Sequence, residues 1–432
     1  MWEQIRSNRR RSIWLAMFMA ALLVGLGYFL AEYFAPGYGI AGSVLACGIW
    51  MVMALTAYFG GNQMFLAMAR AKRIEKQDLP RLYNIVEEMT IASGLSKMPA
   101  VYLIDDPAPN AFATGRNPEN AAVAVTSGLV RMCNRDELQG VIAHEIGHIR
   151  NRDVLLMLFA GVMVGAIAIL AEVGLRSHWF MGGRSRRSSG DGGGQAIIVL
   201  VAIALMILAP LIAQFIYFAI SRKREYLADA SAARYTRYPE GLASALEKIA
   251  AAPAKLASAS KVTAPMYIIN PLSRDGSRAA NLSSTHPPIT ERIKILRAMG
   301  GASFAAYDEA FRRTQRKRAG VIPASALQDQ EDIDLRTPTA AERLDRLVMP
   351  VGVTMAEMAG SADAQAAKRR AREVDDVLYR KDRYRALACP CGTSLKIPPG
   401  YLASQVTCPH CERRHEVTRF QTMDASDPAG PS

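Results

Sequence analysis

Four stretches of the chain are too long and too uniformly apolar for the elements of an ordinary soluble domain. Residues 12–34 and 39–59 are parted by the short turn APGYG, while 153–175 and 196–220 flank a loop rich in Gly, Ser and Arg. Each approaches or exceeds the ~20 apolar residues a bilayer-crossing helix needs. The pattern predicts two helical hairpins embedded in lipid. The first segment reads as a retained anchor, since it is too long for a removed signal peptide and lacks a small-residue cleavage site.

Between the hairpins the periodicity changes. Asp78 followed by LPRLYNIVEEMTIASGL predicts a helix with Asp78 as N-cap, Leu82, Ile85, Val86 and Met89 as its apolar face, and a stop at Gly94. PAVYLI (99–104) and AAVAVTS (121–127) predict short strands bounded by Pro, Asn and Gly. Asn134 opens a further helix, with Glu137 three residues on completing a capping box. Leu138, Val141, Ile142 and Ile149 form the core face of that helix. The expected fold class is mainly α with a small β-sheet (α+β).

Composition then sharpens the membrane reading. The 432 residues leave room for two or three domains. Half of them are apolar while the net charge is +13, an odd pairing for one soluble globule. Arg6, Arg9, Arg10 and Arg11 precede the first span, Lys72, Arg73 and Lys76 follow the second, and the turn between has no cation. Both ends of this hairpin are therefore expected in the cytoplasm. The second hairpin is ambiguous, because its loop carries Arg176, Arg184, Arg186 and Arg187 against Arg222, Lys223 and Arg224 at its far end. Either it dips into the membrane without crossing, or the first hairpin sets the orientation. Glu172 and Gln214, inside these spans, predict a buried or cavity-lining pair. Six Cys are too few and too unevenly placed for a secreted disulfide framework, and Cys47 and Cys133 read as packed thiols.

Chemistry enters at VIAHEIGHIR (141–150). A helix puts His144 and His148, four apart, on one face. That spacing suits a zinc ion, which takes two helical His and then needs a third ligand and a water. Glu145 stands where it can reach that water as general base. A helix, then strands, then a helix bearing this motif is the order of a zincin-type protease. The candidate third ligand is Glu225 in SRKREYLADASA, with Asp229 one turn later to orient an imidazole. The plainer alternative makes Arg222, Lys223, Arg224 and Glu225 a solvated cap on a membrane helix. Two intervening segments return the chain to the same compartment, so the ligands meet only if 153–220 forms a hairpin.

Four ordered blocks, NAFATGRNPENAAVAVTSGL (110–129), HEIGHIRNRD (144–153), SRKREYLADASAA (221–233) and STHPPITERI (284–293), resemble the HtpX family of membrane zinc metalloproteases over roughly residues 1–300. The resemblance implies zinc on His144, His148 and Glu225, water activation by Glu145, and an active site facing the cytoplasm, in a bacterial inner membrane. It also implies cleavage of damaged or misassembled membrane proteins. His286 and Arg292 are candidates for stabilising the oxyanion, with a plain helix cap as the alternative for His286. Asn110, Ala111, Phe112, Ala113, Thr114 and Gly115 are expected to form an edge strand that pairs with an extended substrate.

The expected organisation is a transmembrane hairpin (1–62), a protease domain (63–300) interrupted by the hairpin at 153–220, a solvated helical linker (301–385), a zinc-ribbon-like module (386–420) and a tail (421–432). In the module, Cys389 and Cys391 pair with Cys408 and Cys411 at about a ribbon's interval, although the first knuckle is Cys-x-Cys where two intervening residues are usual. His410 and His415 are substitute ligands, and a redox dithiol is the alternative. A four-thiolate zinc would be structural, because so short a module cannot build enough core alone. The chain is thus expected to hold one catalytic and one structural zinc. The module would serve a protein partner; its few aromatics argue against nucleic acid, despite the cationic runs KRRAR and RKDRYR.

Overall fold

A computed structural model describes residues 2–181, 192–252, 267–269, 286–327, 334–336, 362–399, 401 and 403–417. The chain divides into two compact units, Met1–Thr354 and Met355–Ser432. The helix expected from TAAERLDRLV and the tail beyond 420 lie outside the described residues.

The first unit opens with α1 (Trp2–Phe34) and α2 (Gly39–Met68), followed by β1 (Lys72–Arg73), α3 (Pro80–Ser93), β2 (Ala100–Ile104), β3 (Ala111–Gly115) and β4 (Ala121–Thr126). It continues through α4 (Ser127–Met132), α5 (Arg135–Arg150), α6 (Asp153–Met181), α7 (Gly192–Thr236) and α8 (Pro239–Ala251) to α9 (Ile289–Arg297), α10 (Phe304–Gln315) and α11 (Ala324–Leu327).

Among the described residues, α1, α2, α6 and α7 are long and apolar enough to cross a bilayer. The 18-residue apolar windows of α1 and α6 rise about 27 Å, close to the ~30 Å hydrocarbon core. One cluster joins three of them: Met19, Leu23, Leu26 and Leu30 of α1, Met163, Ile167 and Ala171 of α6, and Ala202, Met206 and Ala213 of α7. The backbones of α1 and α2 approach closely at two glycines. A Cβ on Gly27 would lie 2.6 Å from Ala46 Cβ, and one on Gly42 2.4 Å from Gly27 O. Such small-residue contacts are how helices pack without a hydrophobic drive in lipid. The tail end of α6 meets the tail end of α1 through His178 Nδ1 and Tyr33 Oη.

Two expectations for these spans are corrected. Glu172 is exposed and pairs with Arg176 one turn on, and Gln214 is also exposed. Cys47 faces outward, while Cys133 is buried. In a helix apolar on all sides, periodicity does not say which face turns inward.

The sheet has the order β1-β2-β4-β3, with β2 and β4 parallel and β3 antiparallel to β4 at the edge. Every residue of β3 and β4 is buried. Helix α3 starts at Pro80 with Leu79 as its N-cap, not Asp78, and ends at Gly94 in the left-handed region, φ 66°. Pro80 supplies the first helical φ without needing an N–H partner, which leaves the Asp78 carboxylate to accept from Glu75 N–H at 2.8 Å. Helix α5 has the predicted capping box, Asn134 and Glu137 each accepting the other's backbone N–H.

In the second unit, α12 (Ala362–Lys381) precedes two hairpins, β5 (Arg385–Ala388) with β6 (Ser394–Ile397) and β7 (Gln405–Thr407) with β8 (Arg414–Glu416). The small core there consists of Cys389, Leu395 and Cys408, with Leu387 and Val406 against it.

Candidate active site

Helix α5 packs against α7, and Gly147 is the reason the approach is close. A Cβ there would lie 3.1 Å from Ser231 Cβ and 3.4 Å from Ala228 Cα. Helix α7 does not end at the membrane; it continues as one helix to Thr236 and presents Glu225 and Asp229 to α5. His144 Nε2 lies 3.6 Å from Glu225 Oε2, and His148 Nε2 lies 3.3 Å from Glu225 Oε1. The two imidazoles meet edge to face at 4.8 Å.

A metal fits this set. Ligand atoms of His144, His148 and Glu225 all lie within 4.8 Å of one another. His144 Nε2 is buried and makes no hydrogen bond, with only the 3.6 Å approach to Glu225 Oε2, and a native core rarely tolerates such an atom unless something else satisfies it. The far side of each ring is also accounted for. His144 Nδ1 sits 2.9 Å from Asp229 Oδ1, and because a carboxylate only accepts, Nδ1 carries a proton, which leaves Nε2 as the nitrogen that could bind a metal. His148 Nδ1 lies 3.5 Å from Asp153 Oδ2.

The remaining predicted residues converge here too. Arg292 grips Asp229 with a fork, Nε to Oδ2 at 2.9 Å and Nη2 to Oδ1 at 2.7 Å. Its Nη1 lies 3.4 Å from Glu225 Oε2 and donates to Ile268 O at 3.3 Å. Tyr307 Oη reaches Asp229 Oδ2 at 3.5 Å. His286 Nδ1 is 2.8 Å from Glu225 Oε2; it does not cap α9, whose N-cap is Pro288 without a side-chain bond. The Tyr267–Ile269 segment links the edge strand to this centre, since Ile268 N–H donates to Ala111 O at 3.0 Å and Asn110 Nδ2 to Ile269 O at 3.0 Å.

Electrostatics follow from burial and these partners. Burial would push His144 down, but the neighbouring carboxylates of Asp229 and Glu225 carry it above its ordinary value. The same contest at His148, with Asp153 and Glu225 opposing burial, raises it to about 10. Burial would raise Glu225, but the surrounding histidines, His286 foremost, hold it well below the carboxylate range. Glu145 is raised, chiefly by burial.

One expectation failed. Arg224 is no solvated cap: it is 6% exposed, with Nη1 3.3 Å from Asp153 Oδ1 and 3.2 Å from Asp153 O. Sequence reasoning passed over Asp153 entirely. Its signal was there: a lone acid opening one apolar helix, matched by a cation at the close of the next.

Residues 76–300 match the family model described as Peptidase family M48. The chain belongs to peptidase family M48. A protein named "Protease HtpX homolog" from Dictyoglomus turgidum is 45% identical over 299 residues, 69% of this chain and 95% of that protein. Another of that name, from Syntrophobacter fumaroxidans, is 45% identical over 294 residues, 68% and 99% respectively. The crystal structure of S. mikatae Ste24p is similar with a TM-score of 0.40 at 19% identity, over 68% of this chain and 67% of that one. The protein is thus an HtpX-like integral membrane metalloprotease, a class whose chemistry implies zinc.

In the second unit, the sulfurs of Cys389, Cys391, Cys408 and Cys411 lie within 4.8 Å of one another. Cys389 and Cys411 are 3.4 Å apart, Cys391 and Cys408 3.7 Å. These separations far exceed a ~2.05 Å disulfide bond and approach the roughly 3.8 Å edge of a tetrahedron with ~2.3 Å Zn–S bonds. His415 Nε2 stands 3.2 Å from Cys389 Sγ, beside the cluster, and His410 is exposed. A hydrogen bond with Thr393 draws the Cys391 thiol down to about 6, towards the thiolate that metal binding requires.

Proposed function

We propose that the protein is a zinc endopeptidase that hydrolyses peptide bonds in misfolded or damaged membrane proteins at the cytoplasmic face of the bacterial inner membrane. One observation carries the reading. Three ligand atoms from two helices lie within 4.8 Å of one another, His144 Nε2 buried without a hydrogen bond, while Glu145 sits beside them on α5, 1% exposed.

His144, His148 and Glu225 would hold the ion. When bound, zinc supplies a Lewis acid and brings the pKa of a coordinated water towards ~7. Glu145 takes the proton of the attacking water on its carboxylate and passes it to the leaving amine. Burial raises Glu145, which moves a carboxylate towards the proton affinity a general base needs near neutrality. Asp229 holds His144 Nδ1–H, and Arg292 in turn fixes Asp229. His286, anchored against Glu225, donates to the oxyanion of the scissile carbonyl. Strand β3, with Asn110 before it, receives an extended substrate backbone. Pairing through main chain accepts many sequences, which suits the removal of damaged proteins. The cationic flanks of the first hairpin support a cytoplasmic active site. The four cysteines would hold a structural zinc in a module that engages a protein partner.

Glu145→Gln tests the centre of this reading. The variant, purified in detergent, should keep its zinc and lose ~10²–10⁴-fold in casein cleavage. Robust cleavage by the zinc-loaded variant would remove Glu145 from its role.

A further inference from the structure

The site has two arms of the same construction, and the sequence offered only the Asp229 carboxylate of the first. In the first, His144 Nδ1 meets Asp229, which Arg292 grips. In the second, His148 Nδ1 meets Asp153 Oδ2 at 3.5 Å, and Arg224 Nη1 reaches Asp153 Oδ1 at 3.3 Å. Asp153, like Asp229, is 0% exposed. The geometry points to Asp153 and Arg224 as positioning residues that fix the His148 ring for metal binding, an inference that rests on the zinc reading above.

Three features support it. A metal-bound imidazole generally donates its second N–H to a carboxylate or carbonyl, which sets tautomer and ring orientation. His148 needs such a partner more than His144, because its side chain is 15% exposed against 0% and less enclosed by packing. A buried carboxylate and guanidinium are each costly to desolvate, so their presence together calls for more than a helix start. Asp153 as a simple complement to the α6 dipole would need neither Arg224 nor the turn towards His148.

The placement carries meaning as well. Asp153 is the first residue of α6, and Arg224 lies on α7 beyond its apolar window and immediately before Glu225. The site-side ends of the second hairpin are therefore clasped to each other at the very residue that contacts His148. Separation of the two helices would loosen a zinc ligand.

The test uses the full chain in detergent, in a Cys408→Ala background so that a single site titrates. Zinc affinity is read by competition with a chromophoric chelator, and ligand geometry by the visible spectrum of the cobalt-substituted site. Asp153→Ala should weaken zinc roughly 10- to 100-fold and alter the cobalt bands. Asp153→Asn keeps an oxygen acceptor and should recover most of the affinity. Arg224→Ala should weaken zinc several-fold, and Arg224→Lys should recover part of that. Glu137→Ala, which breaks the capping box at the other end of α5, should lower the unfolding temperature without moving either metal readout. If folded Asp153→Ala binds zinc like its parent with an unchanged cobalt spectrum, the relay is wrong. His148→Ala separates the two levels: if it too binds zinc normally, the zinc reading itself falls, and if only His148→Ala loses metal, the relay alone does.

Discussion

Replacing Asp229 by Ala removes two things at once, and the structure says how to tell them apart. Asp229 and Arg292 are both 0% exposed and joined by two short bonds, 2.7 and 2.9 Å. Deleting one partner of such a pair strands the other charge, at about 3–5 kcal/mol. Arg292 keeps Glu225 Oε2 at 3.4 Å, so the lower end, about 3 kcal/mol, applies. At ~2.1 cal/mol/K of unfolding entropy per residue, a chain of 432 residues shifts about 1 °C per kcal/mol, so the apparent unfolding temperature should fall by about 3 °C. His144 also loses the acceptor for Nδ1–H, which should weaken zinc roughly 10- to 100-fold. Asp229→Ala/Arg292→Met separates the effects: an apolar pair no longer strands a charge, so much of the stability returns, whereas His144 still lacks its carboxylate and zinc affinity stays low. Thermal unfolding and chelator competition in detergent read the two quantities on one sample. A double variant as unstable as Asp229→Ala, or an Asp229→Ala with wild-type zinc affinity, would refute the reasoning. The pH dependence has a definite sign. Burial would raise Asp229, but Arg292 holds it below its ordinary value, so the pair's contribution is complete above the ordinary aspartate range and is lost as pH falls through the depressed value.

Two further outcomes are expected. Zinc binding at pH 7 should release protons and tighten as pH rises towards about 10, because the metal-free site holds a proton on His148 up to that value; calorimetry in buffers of different ionisation enthalpy reads the release, and buffer-independent heats would contradict it. Metal analysis of the intact chain should find about two zinc ions, and His144→Ala and Cys408→Ala should each remove one, as expected of a closed thiolate site separate from an open His/Glu site; one ion that survives His144→Ala would overturn the proposed ligand set.

What could be read from the sequence was what local rules govern. The Asn134/Glu137 capping box, the two central strands and the four apolar helices all depend on neighbours a few residues away, and each appears in the fold. So does the convergence of Glu225 with His144 and His148, because an even number of long helices had to return the chain to α5. Arg224 was misjudged because its partner, Asp153, lies across a whole membrane hairpin; in the sequence it is one of three adjacent cations. Glu172 and Cys47 were misplaced for a related reason. Which side of an all-apolar helix turns inward is decided by packing among α1, α2, α6 and α7, not by periodicity. The Tyr267–Ile269 segment gave no sign at all, since its contacts to Ala111, Asn110 and Arg292 are made by backbone atoms that every residue possesses.

Helix α7 runs unbroken from the lipid-facing stretch to the ligand, with Pro210 in its interior. A proline there removes one backbone bond and makes the helix easiest to bend at that point. Glu225 lies about 22 Å further along, at ~1.5 Å rise per residue. Used as a lever arm of that length, a tilt of about 5° would swing the carboxylate by about 2 Å, comparable to a whole ~2.0–2.2 Å Zn–O bond. Any bend at Pro210 would therefore be felt at the Glu225 carboxylate, at the far end of one rigid helical arm.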